Sequence, residues 1–215
     1  MYIPSSFAET DLPTLHAFID AHPLTTVVTA APTEGLLASP LPLILDCAAG
    51  PNGTLVGHFA RANPHGRQVL GGPVDALVIF TGPDAYITPE WYRTKQETGK
   101  VVPTWNYIAV HAWGVLRAHD DSHFLRQHLE ALVQRHEGTR PAPWLVSDAP
   151  EEYIAQQMKA IIAVELRIDR LEGKWKMSQN RPDADIEGVI RGLGDSEASG
   201  DQAVARIVTE RRPRR

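Results

Sequence analysis

Prolines and glycines are spread so densely along this chain that long regular elements are disfavoured over much of it. The sequence has 17 prolines and 16 glycines, and those in the first two thirds divide that part into short segments. Both residues destabilise helix interiors, and both favour turns. The spacing therefore predicts short strands joined by tight turns, as in a barrel or a sandwich.

The local patterns place several of these strands. Residues 24–31 are rich in Thr and Val, which favours a strand. Residues 36–45 are apolar but contain Pro40 and Pro42, so we expect an edge or bulged strand there. Asn52-Gly53 predicts the turn that begins the next strand. The remaining predicted strands span residues 54–60, 75–81, 85–88, 104–118 and 162–168.

Helices are predicted mainly outside these strands. The clearest spans residues 121–136, where Asp121 can cap the first turn and Gly138 can end the helix. Other helices are predicted at 11–21, from 149 onward and at 183–193. The fold class is therefore mainly β or α+β, with peripheral helices. We expect one domain over residues 1–194, including a C-terminal helical part, and a weakly structured helical and basic tail over 195–215.

Composition excludes some classes of protein. The net charge of −5 argues against binding nucleic acid through overall charge. Cys47 is the single cysteine, so an intramolecular disulfide is impossible and a reducing compartment fits. The sequence shows neither a secretory signal pattern nor an apolar run long enough to cross a membrane. We therefore expect a cytoplasmic protein.

The segment 58–65 combines a cation, amide and small side chains where a strand should run into a turn. Asn63-Pro64 predicts a helix start whose free N–H groups can face an anion. Arg61 can contact phosphate through two N–H groups; the alternative is a solvated turn with Arg61 in a surface salt bridge. The small alanines would let a planar ring approach the backbone. The predicted cofactor-binding residues here are His58, Ala60, Arg61, Ala62 and Asn63.

Two later segments share this character. Trp105 and Asn106 can present a stacking surface and an amide to a heterocycle; the alternative is the start of a strand with core aromatics. Residues 174–181 hold three cations together with hydroxyl and amide side chains; the alternative is a solvated face. The predicted cofactor-binding residues in these segments are Trp105, Asn106, Lys176, Ser178, Gln179, Asn180 and Arg181.

No catalytic constellation emerges from spacing. The glycine-rich dinucleotide fingerprint, the Walker A loop and the Gly-x-Ser-x-Gly elbow are absent from the sequence. His119, His123 and His128 are interpreted as surface histidines, and no metal site is predicted. Catalytic residues stay unassigned.

Taken together, five segments resemble the PaiB-type family of FMN-binding negative transcriptional regulators. They are the opening residues 1–7, 58–65, 86–92, 102–107 and 174–181, in the expected order over about residues 1–194. Thr88 stands where serine is expected, and Met177 where leucine is more usual. The resemblance implies an FMN-binding split β-barrel, related in fold to pyridoxamine-phosphate oxidase.

The resemblance also implies a homodimer with two flavins at the subunit interface. Arg61 and Asn63 would hold phosphate, the strand before them would line the ring, and the later segments would come from the second subunit. DNA as a partner is implied by the family alone, since no helix-turn-helix is recognisable and the net charge is negative. Two alternatives remain open: a flavin-dependent oxidoreductase acting on a small molecule, and a haem-binding split barrel.

Overall fold

The computed structural model describes residues 1–31 and 35–213. Its α-helices are α1 Leu12–Ala21, α2 Pro64–Leu70, α3 Arg93–Thr98, α4 Ser122–Glu137, α5 Glu151–Lys159, α6 Asp183–Gly194 and α7 Ser199–Glu210. Its strands are β1 Ala8–Glu9, β2 Leu24–Ala31, β3 Gly35–Pro42, β4 Ile44–Asp46, β5 Thr54–Ala60, β6 Val74–Ile87, β7 Thr104–His119 and β8 Ile161–Lys176.

The strands form one sheet in the order β3-β2-β6-β7-β8-β5-β4, and β1 pairs with β8. β2 is antiparallel to β3 and β6, and β5 is antiparallel to β4 and β8. With helices around an antiparallel sheet, the molecule is an α+β protein, as the sequence predicted. β3 lies at an edge, as expected of a strand containing Pro40 and Pro42.

The chain divides into two compact units. The first unit comprises Met1–Leu15, Thr81–Val110 and the chain from Glu172 onward; the second comprises His16–Phe80 and His111–Leu171. β6, β7 and β8 each contribute residues to both units. The core of the second unit consists of side chains that alternate along its strands, including Val27, Leu55, Phe59, Val78, Phe80, Ile162, Val164 and Leu166.

In the first unit, α6 and α7 pack against each other through buried residues of both helices: Ile186, Val189, Leu193, Val204, Ala205 and Val208. Gly188 leaves room for the chain at Trp91, because a Cβ there would lie 1.8 Å from the Trp91 carbonyl oxygen. The predicted weakly structured tail therefore contains a helix with a buried apolar face. Arg214 and Arg215, also assigned to that tail, lie outside the described residues.

Several element boundaries differ from the predictions. The two strands expected at 75–81 and 85–88 are one long strand, β6, which runs through Gly82-Pro83. β8 continues to Lys176 rather than ending near residue 168. Local strand propensity predicts that a strand ends at Gly82-Pro83 and near residue 168. In the fold, long neighbouring strands pair with β6 and β8 beyond these points, and the sequence does not reveal those pairing partners. Within residues 1–31 and 35–213, no helix is long and apolar enough to cross a membrane.

Candidate functional site

The first unit holds a polar cluster where β7 begins and β8 ends. Asn106 is buried, with 1% of its surface exposed, and its Nδ2 donates to Ser178 Oγ at 3.0 Å. Ser178 is also buried. The contact joins the second segment predicted from the sequence, 102–107, to the third, 174–181. Two regions more than seventy residues apart thus meet, as the flavin-site interpretation requires.

Lys176 lies in the same cluster. Its Nζ donates to Thr104 Oγ1 at 2.6 Å and to the carbonyl oxygen of Trp105. Burial lowers the pKa of Lys176 below its ordinary value, and the nearby charges of Lys174 and Arg181 lower it further. Lys174, Lys176 and Arg181 thus lie close enough for their charges to interact, a setting that favours a negatively charged or electron-rich ligand.

A small cleft opens beside this lysine, and we refer to it as the Lys176 cleft. Its volume is about 160 Å³. The described residues that line it include two cations and no carboxylate; they are Phe7, Val102, Thr104, Asn106, Lys176, Ser178, Asn180 and Arg181. Hydroxyls, amides and cations are donors that suit the oxygens of a phosphate or of a flavin ring. The donor set therefore fits part of a flavin nucleotide.

The turn that carries Ser178 is conformationally unusual. Ser178 has φ +64°, the only positive φ of a non-glycine residue in the described ranges. A serine in this left-handed region is strained and persists only where its surroundings hold it. Gln179 supplies that restraint, because its Oε1 accepts from the Met177 N–H at 2.7 Å and its Nε2 donates to the Trp175 carbonyl at 2.6 Å. Gln179, predicted as a cofactor contact, thus uses its amide to hold the turn.

An aromatic surface lies near the cleft. Trp105 is 53% exposed and Tyr86 is 48% exposed, and their ring centroids are 5.8 Å apart in an edge-to-face arrangement. Large aromatic side chains are usually more buried than this. An exposed pair of rings can stack against a flat ligand. The alternative that Trp105 is a core aromatic is therefore excluded by its exposure.

The second unit carries the segment 58–65. His58 and Ala60 lie on β5, and α2 begins at Pro64, as predicted. Asn63 caps α2 by accepting the His65 N–H through its side-chain oxygen at 3.0 Å. The cap uses the Asn63 oxygen and leaves its amide NH₂ available for other contacts.

Arg61 already has partners in its own unit. It donates to Asp120 Oδ1 at 2.7 Å and to the carbonyl oxygens of Lys159 and Ile161 at 3.1 and 3.3 Å. This arrangement corresponds to the alternative stated above, in which Arg61 forms a surface salt bridge. Arg61 also lines a larger cleft, of about 540 Å³, together with the start of α4 and residues of α5. A phosphate contact by Arg61 stays a prediction, and it would have to displace Asp120.

His58 contacts His128, which the sequence analysis interpreted as a surface histidine. Its Nδ1 lies 3.0 Å from Nε2 of His128 on α4. His128 is only 4% exposed, so its interpretation as a surface histidine was wrong. The apolar stripe of α4 contained the signal, since position 128 lies one turn after the buried Leu125. Across the part of the chain that the structure describes, no three His, Cys, Asp or Glu side chains are grouped to hold a metal ion.

The predicted residues therefore fall into two groups, one in each unit. Trp105, Asn106 and the segment 176–181 lie together in the first unit, and residues 58–63 lie in the second. Sequence reasoning missed the partners Thr104, Asp120 and His128. Thr104 was within a segment already singled out, but pairing of Arg61 with Asp120 spans 59 positions and leaves no local signal.

The mostly antiparallel sheet and the helices make this an α+β fold, which matches that of split-barrel proteins. The solved structure of an FAD and heme binding protein from Mycobacterium smegmatis has this fold, with a TM-score of 0.58 and 21% identity, covering 84% of this chain and 78% of that one. The family model described as "Putative FMN-binding domain" matches residues 1–170, so the chain belongs to this FMN-binding family.

Relatives that extend over nearly the full chain include the following two. An uncharacterized protein of Aspergillus fumigatus is 38% identical over 98% of this chain and 97% of its own length. Protease synthase and sporulation protein PAI 2 of Bacillus subtilis is 29% identical over 98% of both chains. The PaiB-type resemblance noted in the sequence is thereby confirmed.

Proposed function

We propose that this protein binds FMN and that the Lys176 cleft receives an electron-rich edge of the flavin ring. The observation that carries the proposal is the cleft lining, where Lys176 and Arg181 meet buried amide and hydroxyl groups without a lining carboxylate. Trp105 and Tyr86 offer a stacking surface in the same unit. Membership of the FMN-binding family supports a flavin as the ligand.

The size of the cleft supports a shared site. Pockets for drug-sized ligands occupy about 300–1,000 Å³, whereas the Lys176 cleft has about 160 Å³. It can hold one part of FMN, so other residues must bind the rest. We propose a homodimer in which the first unit of one copy contacts the ring and Arg61 and Asn63 of the other copy contact the phosphate.

The biological role that we propose is negative transcriptional regulation, with the flavin as a sensor or a structural cofactor. Support comes from the full-length relationship to the Bacillus subtilis protein, whose name refers to protease synthesis and sporulation. The net charge of −5 favours an indirect effect or a local DNA contact over binding through overall charge. Cytoplasmic localisation is part of this proposal.

An absorption spectrum of the purified protein tests the cofactor. We expect the two absorption bands of an oxidised flavin, and mass spectrometry of the released cofactor should give FMN rather than FAD. A sharp haem band without flavin would contradict the proposal and favour the haem-binding alternative. Rapid bleaching of the flavin by NADH or NADPH would favour the oxidoreductase alternative.

Two further measurements test the assembly and the role. Light scattering after size-exclusion chromatography should give twice the chain mass, and a monomer that retains FMN would contradict the shared site. Binding to DNA upstream of candidate target genes should be measured at physiological salt with and without FMN. Affinity no greater than for unrelated DNA in both states would contradict direct repression.

A further inference from the structure

A pair of histidines joins α4 to the sheet in the second unit. His58 on β5 and His128 on α4 share one hydrogen bond, with 3.0 Å between Nδ1 and Nε2. Their rings meet edge to face at a centroid distance of 5.2 Å. The pair lies close in sequence to the 540 Å³ cleft, because Arg61, just past the end of β5, and Leu125 on α4 line that cleft, and each is three residues from a histidine of the pair.

One ring nitrogen of this pair lacks a hydrogen-bond partner. Nδ1 of His128 is buried and has no hydrogen-bond partner among the described residues. In neutral histidine one ring nitrogen carries a hydrogen and the other accepts. If Nε2 of His128 donates to His58, then Nδ1 is an unused acceptor. This tautomer avoids a buried N–H without a partner, which is the costlier arrangement.

Protonation of either ring makes this arrangement of hydrogens impossible. A protonated His128 carries hydrogens on both nitrogens, and its Nδ1–H then has no acceptor. A protonated His58 turns its Nδ1 into a donor, so Nε2 of His128 must accept and the hydrogen of His128 moves to Nδ1. In either case a buried N–H is left without an acceptor.

The surrounding charged groups do not offer a counter-ion to the pair. On β8, Ala163 lies opposite His58, and Glu165 is on the same face two residues further along. Glu165 lies 3.1 Å from Nε2 of His119 on β7. On α4, Arg126 pairs with Glu130 and with Glu151 of α5. Beyond the end of β5, Arg61 pairs with Asp120. Asp120, Glu130 and Glu151 are therefore paired with arginines, and Glu165 lies beside His119.

We propose that the His58–His128 hydrogen bond is an acid-sensitive latch, which holds α4 on the sheet when both rings are neutral and releases it when one binds a proton. Release moves the helix that carries one wall of the 540 Å³ cleft. The latch would therefore couple the shape of this cleft to pH. It does not depend on flavin binding.

The direction of the pH effect follows from the burial of both rings. Burial lowers the pKa of His58, and burial together with the charge of His58 lowers the pKa of His128 to about 4. An exposed histidine in the opened state has a pKa of about 6.5. The open state therefore binds protons first, and the closed state loses stability as pH falls from about 6.5 towards 4. For His128 alone, the opening equilibrium should rise roughly 20- to 30-fold between pH 7 and pH 5.

Hydrogen exchange of the full-length protein tests the latch. After correction for intrinsic rates, exchange of the amides of α4 should accelerate at least roughly 20-fold between pH 7 and pH 5. His128→Leu should reduce the acceleration to the part that His58 contributes, because leucine fills a similar volume without a titrating group. The control His123→Gln, at an exposed histidine of the same helix, should retain it. An acceleration that is undiminished in His128→Leu, or absent in the unmodified protein, would overturn the proposal.

Nuclear magnetic resonance gives a second readout that needs no variant. The ring of His128 should remain neutral at pH 5 in the folded protein, with the hydrogen on Nε2. A ring that protonates near pH 6.5 while α4 stays protected from exchange would show that the contact tolerates the charge, and the latch would be wrong.

Discussion

Two segments of this chain look alike in sequence but differ in their electrostatic surroundings. Arg61 in the second unit donates to Asp120 and to two carbonyl groups. Lys176 and Arg181 in the first unit line a cleft whose described lining contains no carboxylate. Arg61 must leave a carboxylate before it can bind an anionic ligand, whereas Lys176 is held by a hydroxyl and a carbonyl oxygen, which do not neutralise its charge. The fold, rather than local composition, therefore determines what each cation can contribute.

The largest effect should come from removing the charge in the first unit. Lys176→Met keeps an apolar stem but removes the ammonium group, so we expect FMN affinity to fall by about 1.5–3 kcal/mol, or about 10- to 150-fold. Titration of the apoprotein with FMN, followed by quenching of flavin fluorescence, measures the loss.

The matched control is Arg93→Met, since Arg93 is exposed in the same unit and pairs with Glu97. It should leave FMN affinity unchanged. Equal losses in the two variants would mean that overall charge, and not the Lys176 cleft, sets the affinity.

A smaller effect is expected in the second unit. A charge-assisted phosphate contact contributes about 1.5–3 kcal/mol, but an exposed ion pair such as Arg61–Asp120 offsets up to about 1 kcal/mol of it. Arg61→Ala should therefore weaken FMN binding by about 0.5–2 kcal/mol. Asp120→Asn should strengthen binding by less than about 1 kcal/mol, because it frees the guanidinium. Isothermal titration of both variants measures these changes, and a weaker complex in Asp120→Asn would argue against competition between Asp120 and the phosphate.

The smallest effect should be a fall in FMN affinity at alkaline pH. We expect it to come from Lys176 in the first unit alone. The lowered pKa of Lys176 means that its charge is lost at a lower pH than that of an ordinary lysine. FMN affinity should therefore begin to fall below pH 10.5, by less than in Lys176→Met because only a fraction of the molecules is neutral. Lys176→Arg should remove this dependence while Arg61→Ala keeps it, and a dependence that survives in Lys176→Arg would assign the titration to another group.

The sequence predicted much of the fold because its signals are local. Asn63-Pro64 predicted the start of α2, and Asp121 predicted the start of α4. The prolines of β3 predicted its position at an edge. The missed features depend on contacts between distant positions. Nothing near Gly82-Pro83 shows that β6 continues through it, and nothing near His128 shows that His58 lies opposite.

The sequence predicted which residues form the candidate site, but not which of their side chains contact each other. The contact between Asn106 and Ser178 fits the prediction that distant polar segments meet. The use of Gln179 in holding a strained turn, and the pairing of Arg61 with Asp120, could not be read from residue types. Side chains that suit a ligand also suit each other, so only the folded chain decides which partner each one takes.

The most direct test compares FMN with riboflavin, which lacks the phosphate, as ligands of the unmodified protein, Lys176→Met and Arg61→Ala. If the first unit contacts the ring and Arg61 contacts the phosphate, Lys176→Met should weaken both ligands equally and Arg61→Ala should weaken FMN alone. A loss in Lys176→Met that disappears with riboflavin, or a loss in Arg61→Ala that remains with it, would contradict this division of the flavin between the two regions.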